Sequence, residues 1–290
     1  ICFTGTNTSP PSLYNDSITI TNNNIYDYFN ATVSSAGIDL ISNSITCSFT
    51  NNRFYQTASR TQTTASTHYG IRLNFSTGTG YNVTGNTVGY SGYVASIGSG
   101  TYIFTGIQGS NFIPFSVVAA TATPSLIQNN TVAGITCNTS ASVTFSTLFT
   151  AFSVTGTNVI TNTIGLPAAP LTFHATAGIG GGVFGINSVG AGTIAIQDNV
   201  IQSITTTGAV ANAAFDLTGI FASGGNYTIT NNTIGHTNTA NSISMGTSGL
   251  STTLSNFRGI STGAAATGSM TIGNTVGTGN TIQNITFNAT

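Results

Sequence analysis

Charge is what this sequence lacks most. Its 290 residues include four Arg and five Asp but no Lys and no Glu, so charged residues make up 3% of the chain, against about 25% in an ordinary globular domain. Without a basic patch to neutralise phosphates, nucleic acid is not expected as a partner. No apolar run is long enough to span a membrane. The net charge of −1 favours self-association or a covering of glycans.

Cysteine is also scarce, and its spacing excludes the usual zinc motifs. Cys2, Cys47 and Cys137 form no Cys-x-x-Cys or Cys/His pattern, so no metal ligand or cofactor is predicted. Cys47 stands at a position that is apolar in other repeats, and we expect a buried thiol there. A Cys2–Cys47 disulfide stays open as an alternative, and the odd number leaves at least one thiol free.

The sequence is instead rich in one recurring motif, seen best in Thr-Ile-Thr-Asn-Asn-Thr-Ile-Gly at 228–235. Apolar residues stand three before and two after the second Asn, which is typical of a strand that alternates inward and outward and then bends. Asn tolerates the left-handed backbone of such a bend. The equivalent asparagines are Asn23, Asn52, Asn86, Asn130, Asn162, Asn199, Asn232 and Asn274.

A second motif, Gly-Ile, alternates with the first. Its copies are Gly37-Ile38, Gly70-Ile71, Gly106-Ile107, Gly185-Ile186, Gly219-Ile220 and Gly259-Ile260, and Phe149-Thr150-Ala151-Phe152 is interpreted as the copy that overlays Phe104-Thr105-Gly106-Ile107. Successive asparagines are 29 to 44 residues apart. Fixed motifs at a variable distance indicate fixed strands joined by loops of free length.

These repeats predict an all-β fold, a parallel β-solenoid in one domain over residues 1–290. We expect a right-handed β-helix of about seven coils, with the asparagines in one column. A β-sandwich is the alternative, but it does not predict two alternating motifs in step. The stacking would place Asp39 directly beside Arg72. Asp39 and Arg72 each stand two residues after the Gly of their motif. The same position in the later copies holds Gln108, Ser153, Asn187, Phe221 and Ser261.

The intervening segments are interpreted as outward loops. Residues 1–17 form a leading segment, 57–67 and 89–100 are polar or Gly-rich loops, and 165–182 and 235–256 are longer excursions. Residues 109–124, with Pro114 and the apolar Phe112 and Phe115, are expected to pack over the solenoid or to meet a partner. Neither terminus shows a capping helix, so the chain is expected to be a fragment or subunit of a longer repeat protein.

The ionisable residues do not form a catalytic pattern. Enzymes that cleave polysaccharides on a β-helix need clustered carboxylates, or a carboxylate with Lys or Arg, on one face of several coils. Here the carboxylates are dispersed over Asp16, Asp27, Asp39, Asp198 and Asp216, while His68, His174 and His236 are expected in solvated loops. No catalytic residue is predicted.

Binding functions remain open at the sequence level. A carbohydrate-binding groove would draw its aromatics from Tyr55, Tyr69, Tyr81, Tyr90, Tyr93 and Tyr102. Ice binding would need an unbroken Thr-x-Thr array, which Asn82, Leu126 and Ala195 interrupt. Glycosylation signals such as the sequons at Asn30, Asn74, Asn138 and Asn226, or Asp16-Ser17-Ile18, are weak, because Asn, Ser and Thr are so common here.

The repeats 228–235, 159–165 (Val-Ile-Thr-Asn-Thr-Ile-Gly) and 84–89 (Thr-Gly-Asn-Thr-Val-Gly) resemble those of very long Thr/Asn/Gly-rich parallel β-helix surface proteins of Bacteroidetes. The resemblance implies a secreted adhesin or extracellular scaffold of the kind exported by type IX secretion, although that family's C-terminal sorting domain is not in this sequence. We therefore expect a non-enzymatic structural or adhesive module of a cell-surface filament or sheath, associating with itself or with neighbouring repeats. A carbohydrate-binding or lyase-like β-helix is the alternative.

Overall fold

The computed structural model describes residues 1–4, 14–89, 102–107, 110–140, 147–177, 180–208, 214–240, 242–247, 255–263, 268–273 and 277–289. The regular structure in these ranges is entirely β-strand. None of the described residues lies in a helix long and apolar enough to cross a membrane.

The strands stack into four long sheets that run along the axis of a solenoid. Sheet 1 contains β1 (Cys2–Thr4), β5 (Ser35–Ser42), β10 (Thr67–Asn74), β14 (Asn111–Val118), β18 (Thr147–Thr155), β22 (Gly181–Val189), β26 (Phe215–Ser223) and β30 (Asn256–Thr262). Sheet 2 contains β3 (Thr19–Thr21), β7 (Ser48–Thr50), β11 (Asn82–Thr84), β15 (Ser125–Gln128), β19 (Thr157–Ile160), β23 (Thr193–Gln197), β27 (Asn226–Thr230) and β31 (Met270–Ile272).

Sheet 3 contains β4 (Asn24–Tyr26), β8 (Arg53–Tyr55), β12 (Thr87–Val88), β16 (Thr131–Val132), β20 (Thr163–Ile164), β24 (Val200–Ile201), β28 (Thr233–Ile234) and β32 (Thr281–Ile282). Sheet 4 contains β9 (Arg60–Thr61), β13 (Tyr102–Ile107), β17 (Ile135–Ser140), β21 (Leu171–Ala177), β25 (Ile204–Gly208), β29 (Ile243–Thr247) and β33 (Ile285–Ala289). A short corner pair joins β2 (Asn15–Asp16) to β6 (Ser44–Ile45).

Each coil from the second onwards passes through the sheets in the order 1, 2, 3, 4, and the first coil has strands in sheets 1, 2 and 3. We number the coils 1 to 8 from the sheet 1 strands, so that coil 1 begins at β1 and coil 8 at β30. Every pairing between these strands is parallel and joins adjacent coils, as between β10 and β14. The predicted all-β parallel solenoid is therefore confirmed. The leading segment 1–17 contributes β1 and β2 to it and is not wholly irregular.

The predicted column of asparagines is present at the corner between sheets 2 and 3. We call its members the rung asparagines: Asn23, Asn52, Asn86, Asn130, Asn162, Asn199, Asn232 and Asn280. Those from Asn52 to Asn232 are at most 1% exposed. The buried apolar side chains of sheets 2 and 3 lie on either side of this corner. Val159 and Ile164, for example, flank Asn162 in the sequence and are both fully buried.

Every buried rung amide is satisfied by the coils on either side. The Oδ1 of Asn162 accepts from the backbone N–H of Asn130 at 2.9 Å and from its Nδ2 at 3.0 Å. The Nδ2 of Asn162 donates back to the carbonyl of Ile127 at 3.1 Å and forward to the Oδ1 of Asn199 at 3.0 Å. Two donors and two acceptor positions are thus used, which a buried amide requires.

The left-handed backbone lies one residue earlier than the sequence motif suggested. The residue before the rung has positive φ in Asn22, Asn51, Gly85, Asn129, Thr161, Asp198 and Asn231, with φ between 55° and 68°. The rung asparagine itself turns inward. The two residues of the Asn-Asn pair therefore have different roles. The first tolerates the left-handed backbone of the bend, and the second supplies the buried amide.

The last rung is not the asparagine predicted from sequence. Asn274 lies outside the described residues, and the next rung after Asn232 is Asn280, whose Oδ1 accepts from the Nδ2 of Asn232 at 2.8 Å. The sequence repeats Gly-Asn-Thr-apolar at 273–276 and again at 279–282. Either copy fits the motif locally, and the pairing of Thr281 and Ile282 with β28 selects the second.

Glycine is needed in sheet 1 because two neighbours approach it closely. A methyl group on Gly219 would come within 2.6 Å of the carbonyl oxygen of Gly259 and within 2.9 Å of the Cδ1 of Ile234. The same pattern holds at Gly185, where the carbonyl oxygen of Gly219 would lie 2.5 Å away and the Cδ1 of Ile201 2.9 Å. The inward column of sheet 3 thus packs against the glycine column of sheet 1.

The predicted copy Gly106-Ile107 does not belong to this column. It lies in β13 of sheet 4, while the sheet 1 strand of coil 4 pairs Phe115 with Ile71 and places Pro114 where other coils have Gly. Phe149 accordingly pairs with Phe112 and not with Phe104. The expectation that 109–124 is an excursion is wrong, since Phe112 and Phe115 are fully buried. Pro114 and Phe115 are both buried, as Gly70 and Ile71 are at the equivalent positions of the preceding coil.

The register predicted from the remaining copies holds. Arg72 pairs with Asp39 across adjacent strands, and the guanidinium donates to the carboxylate through Nε at 2.7 Å and Nη2 at 2.5 Å. The contact between these two side chains is confirmed. Gln108 lies outside the described residues, and Ser116 takes the position predicted for it.

Sheet 4 was not predicted, and the segments interpreted as loops contain it. Residues 57–67 include β9, 165–182 include β21, and 235–256 include β29; residues 90–100 lie outside the described part of the chain. The inward residues of sheet 4 are as buried as those of the other sheets, as Ile135, Leu171, Phe173 and Met245 show.

Replacing a central rung asparagine should destabilise the solenoid strongly. Asn162→Ala leaves the backbone N–H of Asn130 without its acceptor, removes a donor from the carbonyl of Ile127 and leaves the Oδ1 of Asn199 with one of its two donors. Since each unsatisfied buried group costs about 1–3 kcal/mol, we expect a loss of about 3 kcal/mol or more, measured by urea unfolding. The outward neighbour Thr163→Ala should cost less than about 1 kcal/mol; equal losses for the two variants would contradict this role.

A methyl group in the glycine column should also be costly. Gly219→Ala places Cβ against a backbone carbonyl that cannot move without shifting the next coil, and we expect a loss of about 1–3 kcal/mol. Gly279→Ala is the matched control, because nothing lies within 4 Å of its added methyl group. Thermal unfolding of both variants compares them, and an unchanged midpoint for Gly219→Ala would show that the coils relax freely.

Candidate functional site

The carboxylates hold neighbouring coils together. Asp27 pairs with Arg60 at 2.7 Å, Asp39 with Arg72 at 2.5 Å, and Asp216 with Arg258 at 3.8 Å. In each pair the arginine comes from the next coil. Three of the five carboxylates are thus engaged in contacts between coils.

The other two carboxylates lie apart from these pairs. Asp198 occupies the left-handed position before a rung asparagine, and the exposed Asp16 accepts a hydrogen bond from the hydroxyl of Ser17. Within the described ranges, no group of three or more His, Cys, Asp or Glu side chains could hold a metal ion.

His68 is not in a solvated loop, as the sequence suggested, but in strand β10 with its side chain fully buried. Its Nδ1 lies 2.7 Å from the hydroxyl of Ser35, and its ring stacks on Phe29 with centroids 4.1 Å apart. Burial disfavours the charged imidazolium and lowers the pKa of His68 to about 4. The histidine is therefore a neutral part of the core at physiological pH.

The other two histidines divide between a strand and a turn. His174 also contradicts the loop assignment, because it lies in β21 with its Nδ1 2.8 Å from the hydroxyl of Thr207 on the next coil. His236 follows β28, as predicted outside a strand, and its Nδ1 accepts from the N–H of Asn238 at 3.0 Å.

All three cysteines are free thiols, so the Cys2–Cys47 disulfide is not present. Cys2 lies in sheet 1 opposite Asp39, while Cys47 immediately precedes the sheet 2 strand β7. Cys47 and Cys137 are fully buried, as expected of apolar positions, and Cys2 is exposed. Burial raises the pKa of the Cys47 thiol, which makes it a poor nucleophile.

The predicted tyrosines do not share one groove. Tyr81 is buried in the core, and its hydroxyl donates to the carbonyl of Ser44 at 2.7 Å. Tyr69 lies on sheet 1, with the Arg72 guanidinium 4.9 Å from its ring centroid. Tyr90 and Tyr93 lie outside the described residues, as does the side chain of Tyr102. Only Tyr55 stands on an outward face beside another aromatic ring, the ring of Tyr26.

A shallow cavity on the same outward face of sheet 3 as these two rings is the candidate site. It has a volume of about 300 Å³ and is lined by Asn22, Asn23, Asn24, Asn51 and Arg53. The strands β4 and β8 position it, since Asn24 and Arg53 are opposite each other in the parallel pair and Tyr26 is opposite Tyr55. The phenol rings stack with centroids 5.3 Å apart at 17°. Of the residues around this cavity, only Tyr55 was a candidate from sequence.

The outer face of sheet 2 offers no regular array beside this site. Its outward pairs pass from Thr19 and Thr21 on coil 1 to Asn82 and Thr84 on coil 3. On coil 4 the register places Leu126 and Gln128 at the same two positions. The interruption predicted from the sequence is therefore real.

Comparisons with known proteins give no match: no protein-family model, curated protein or solved structure is significantly similar to this chain. The site must be interpreted from its own geometry.

Stability should depend on pH through His68. The unfolded chain takes up a proton near pH 6.5, whereas folded His68 does so only near pH 4. The free energy of unfolding therefore contains the full contribution of the neutral ring above about pH 6.5. It falls by up to about 3 kcal/mol as the pH is lowered towards 4. Urea unfolding at steps between pH 7 and pH 4.5 measures it.

His68→Phe should abolish this pH dependence while keeping the stack on Phe29. Tyr69→Phe, at the next position in the same strand, should retain the wild-type profile. A His68→Phe profile that still falls as steeply as wild type would assign the loss of stability to other groups.

Proposed function

We propose that this protein is a non-enzymatic structural module of an extracellular, cell-surface assembly, in which copies join end to end. The observation that carries the proposal is the exposure of coil 8. Its inward positions Ile272, Ile282 and Phe287 are 49%, 48% and 55% exposed, whereas their partners on coil 7, Ile229, Ile234 and Met245, are fully buried. A sheet face of this kind favours addition of another coil.

The rung hydrogen bonds favour coil 1 of a second copy as the occupant of that face. Within the described ranges the ladder begins at Asn23, which donates to Asn52, and its last step is the donation from Asn232 to Asn280, so a further rung would accept from the backbone N–H of Asn280 or donate to the Oδ1 of Asn23. Every internal junction joins these same donors to the same acceptor, as between Asn130 and Asn162. An Asn280–Asn23 contact between copies would repeat that junction.

The two ends are also compatible in shape and charge. Parallel strands are present at both ends in sheets 1, 2 and 3, so backbone pairing could continue through these three sheets as it does between coils 7 and 8. The near-absence of charge, at 3% of residues, lowers electrostatic repulsion between copies. Such a junction is heterologous, and repetition of a heterologous contact without closure gives a filament.

The extracellular placement rests on the Thr/Asn/Gly-rich repeats, which resemble those of bacterial surface proteins. A second candidate function, carbohydrate binding without catalysis, is favoured by the stacked Tyr26–Tyr55 pair next to an amide-lined cavity.

Two blocked variants test the end-to-end junction. Phe287→Asp places a charge on the coil 8 face and Ile25→Asp places one on the coil 1 face, and each should weaken association at least tenfold because a carboxylate would be buried. Sedimentation velocity and negative-stain electron microscopy should show wild type growing into rods with concentration. Each variant alone should stay monomeric, but an equimolar mixture should form dimers and stop there.

Thr233→Asp, on the outer face of sheet 3, is the control and should assemble as wild type does. Circular dichroism verifies that every variant retains its strands. Wild-type protein that remains monomeric at all concentrations, or a Phe287→Asp variant that forms rods, would rule out this junction.

A further inference from the structure

The outer face of sheet 3 departs from the repeat on coils 1 and 2. The residue after the rung is Asn24 or Arg53 there, and the residue three after the rung is Tyr26 or Tyr55. On coils 3 to 8 the first position holds Thr87, Thr131, Thr163, Val200, Thr233 and Thr281, and the second holds Gly89, Ala133, Gly165, Gln202, Gly235 and Gln283. Six of the eight coils therefore form the solenoid with neither an aromatic nor a charged residue at these two positions.

The departing residues form one continuous surface. Tyr26 is 54% exposed, although a stacked aromatic ring would gain from burial. Asn24 and Arg53 are exposed on the same face, and Asn22 and Asn51 stand beside them in left-handed conformations at the corner. The cavity of about 300 Å³ lies among these polar groups, a volume at the lower end of that seen for small-molecule sites.

The chemistry of this surface matches a sugar ring that carries an anionic group. The exposed face of Tyr26 can pack against the C–H groups of a pyranose, and primary amides supply both donors and acceptors for hydroxyl groups. The Arg53 guanidinium matches a carboxylate or sulfate in a bidentate arrangement.

The carboxylate that follows Tyr26 in the chain, Asp27, does not oppose an anion strongly. Asp27 accepts from the N–H of Thr57 at 2.9 Å and from its hydroxyl at 2.5 Å, and it pairs with Arg60. Burial opposes ionisation of this carboxyl, but the hydrogen bonds from Thr57 and Arg60 outweigh it and lower the pKa of Asp27. Its negative charge is thus matched locally by Arg60, and Arg53 is the arginine that lines the cavity.

We propose that the surface formed by Asn22, Asn24, Tyr26, Asn51, Arg53 and Tyr55 binds an anionic saccharide, one that bears a carboxylate or sulfate group. The proposal deepens the adhesive side of the proposed function by naming a ligand class. Nucleic acid, which also combines π-faces with anions, is disfavoured because the site has one arginine and the whole chain a net charge of −1.

A glycan array containing uronate, sialylated, sulfated and neutral oligosaccharides, together with single-stranded oligonucleotides, tests the specificity. We expect wild-type protein to bind members of the anionic saccharide groups and neither neutral glycans nor oligonucleotides. Calorimetry with the strongest array ligand should then show roughly tenfold weaker binding for Tyr26→Ala and for Arg53→Gln, and a smaller loss for Arg53→Lys. Salt should weaken wild-type binding but have little effect on Arg53→Gln.

The matched control is Thr131→Ala, at the position equivalent to Asn24 and Arg53 on coil 4, which should bind as wild type. Binding that survives both Tyr26→Ala and Arg53→Gln, recognition of neutral glycans or oligonucleotides alone, or no array signal at all would overturn the proposal. Performing the measurements also on Phe287→Asp separates this site from end-to-end association. Binding by monomeric Phe287→Asp would show that the site acts without the junction. Wild-type protein that binds but forms no rods would overturn only the junction, and rods without binding would overturn only the site.

Discussion

The buried amide of the rung asparagine is the interaction on which this structure depends. An amide is the smallest side chain that presents two donors and two acceptor positions, and here all four are used along the solenoid axis. A buried polar group that is only partly bonded would weaken the core. Each rung therefore requires the rungs before and after it, which fixes the register of sheets 2 and 3 at every coil.

The other regularities follow from that register. Once the corner is fixed, the inward residues of sheet 3 extend towards sheet 1 and leave no room for a side chain, as the contacts of Ile234 with Gly219 show. The outward residues carry no such constraint. Opposite charges such as Asp39 and Arg72 meet because the register places them side by side, and exposed pairs of this kind add little stability themselves.

Structural features that follow from short local motifs could be predicted from the sequence. Features that follow from the pairing of strands between coils could not. The rung column and the Asp39–Arg72 contact were predicted because Asn and Gly stand at fixed distances from apolar residues. Gly106 was misplaced because its local pattern suits sheet 4 as well as sheet 1. Sheet 4 was missed although Ile135, Leu171 and Ile204 each begin an apolar-polar-any-polar run, since Thr-rich runs resemble the surrounding loops. The Tyr26–Tyr55 stack becomes visible only when the coils are aligned in register, and His68 is recognised as a core residue only once β10 is placed.

The number of residues in a coil does not change the distance by which that coil lengthens the solenoid. Adjacent rungs are joined by one hydrogen-bonded step whether they are 29 or 44 positions apart in the sequence, so extra residues widen a coil and leave its rise unchanged. Duplication of one coil would add a complete unit whose upper and lower faces already match those of its neighbours. Such a gene can therefore lengthen by whole coils, while its loops and outward residues change independently. The length of the protein and its surface chemistry can thus evolve as separate traits.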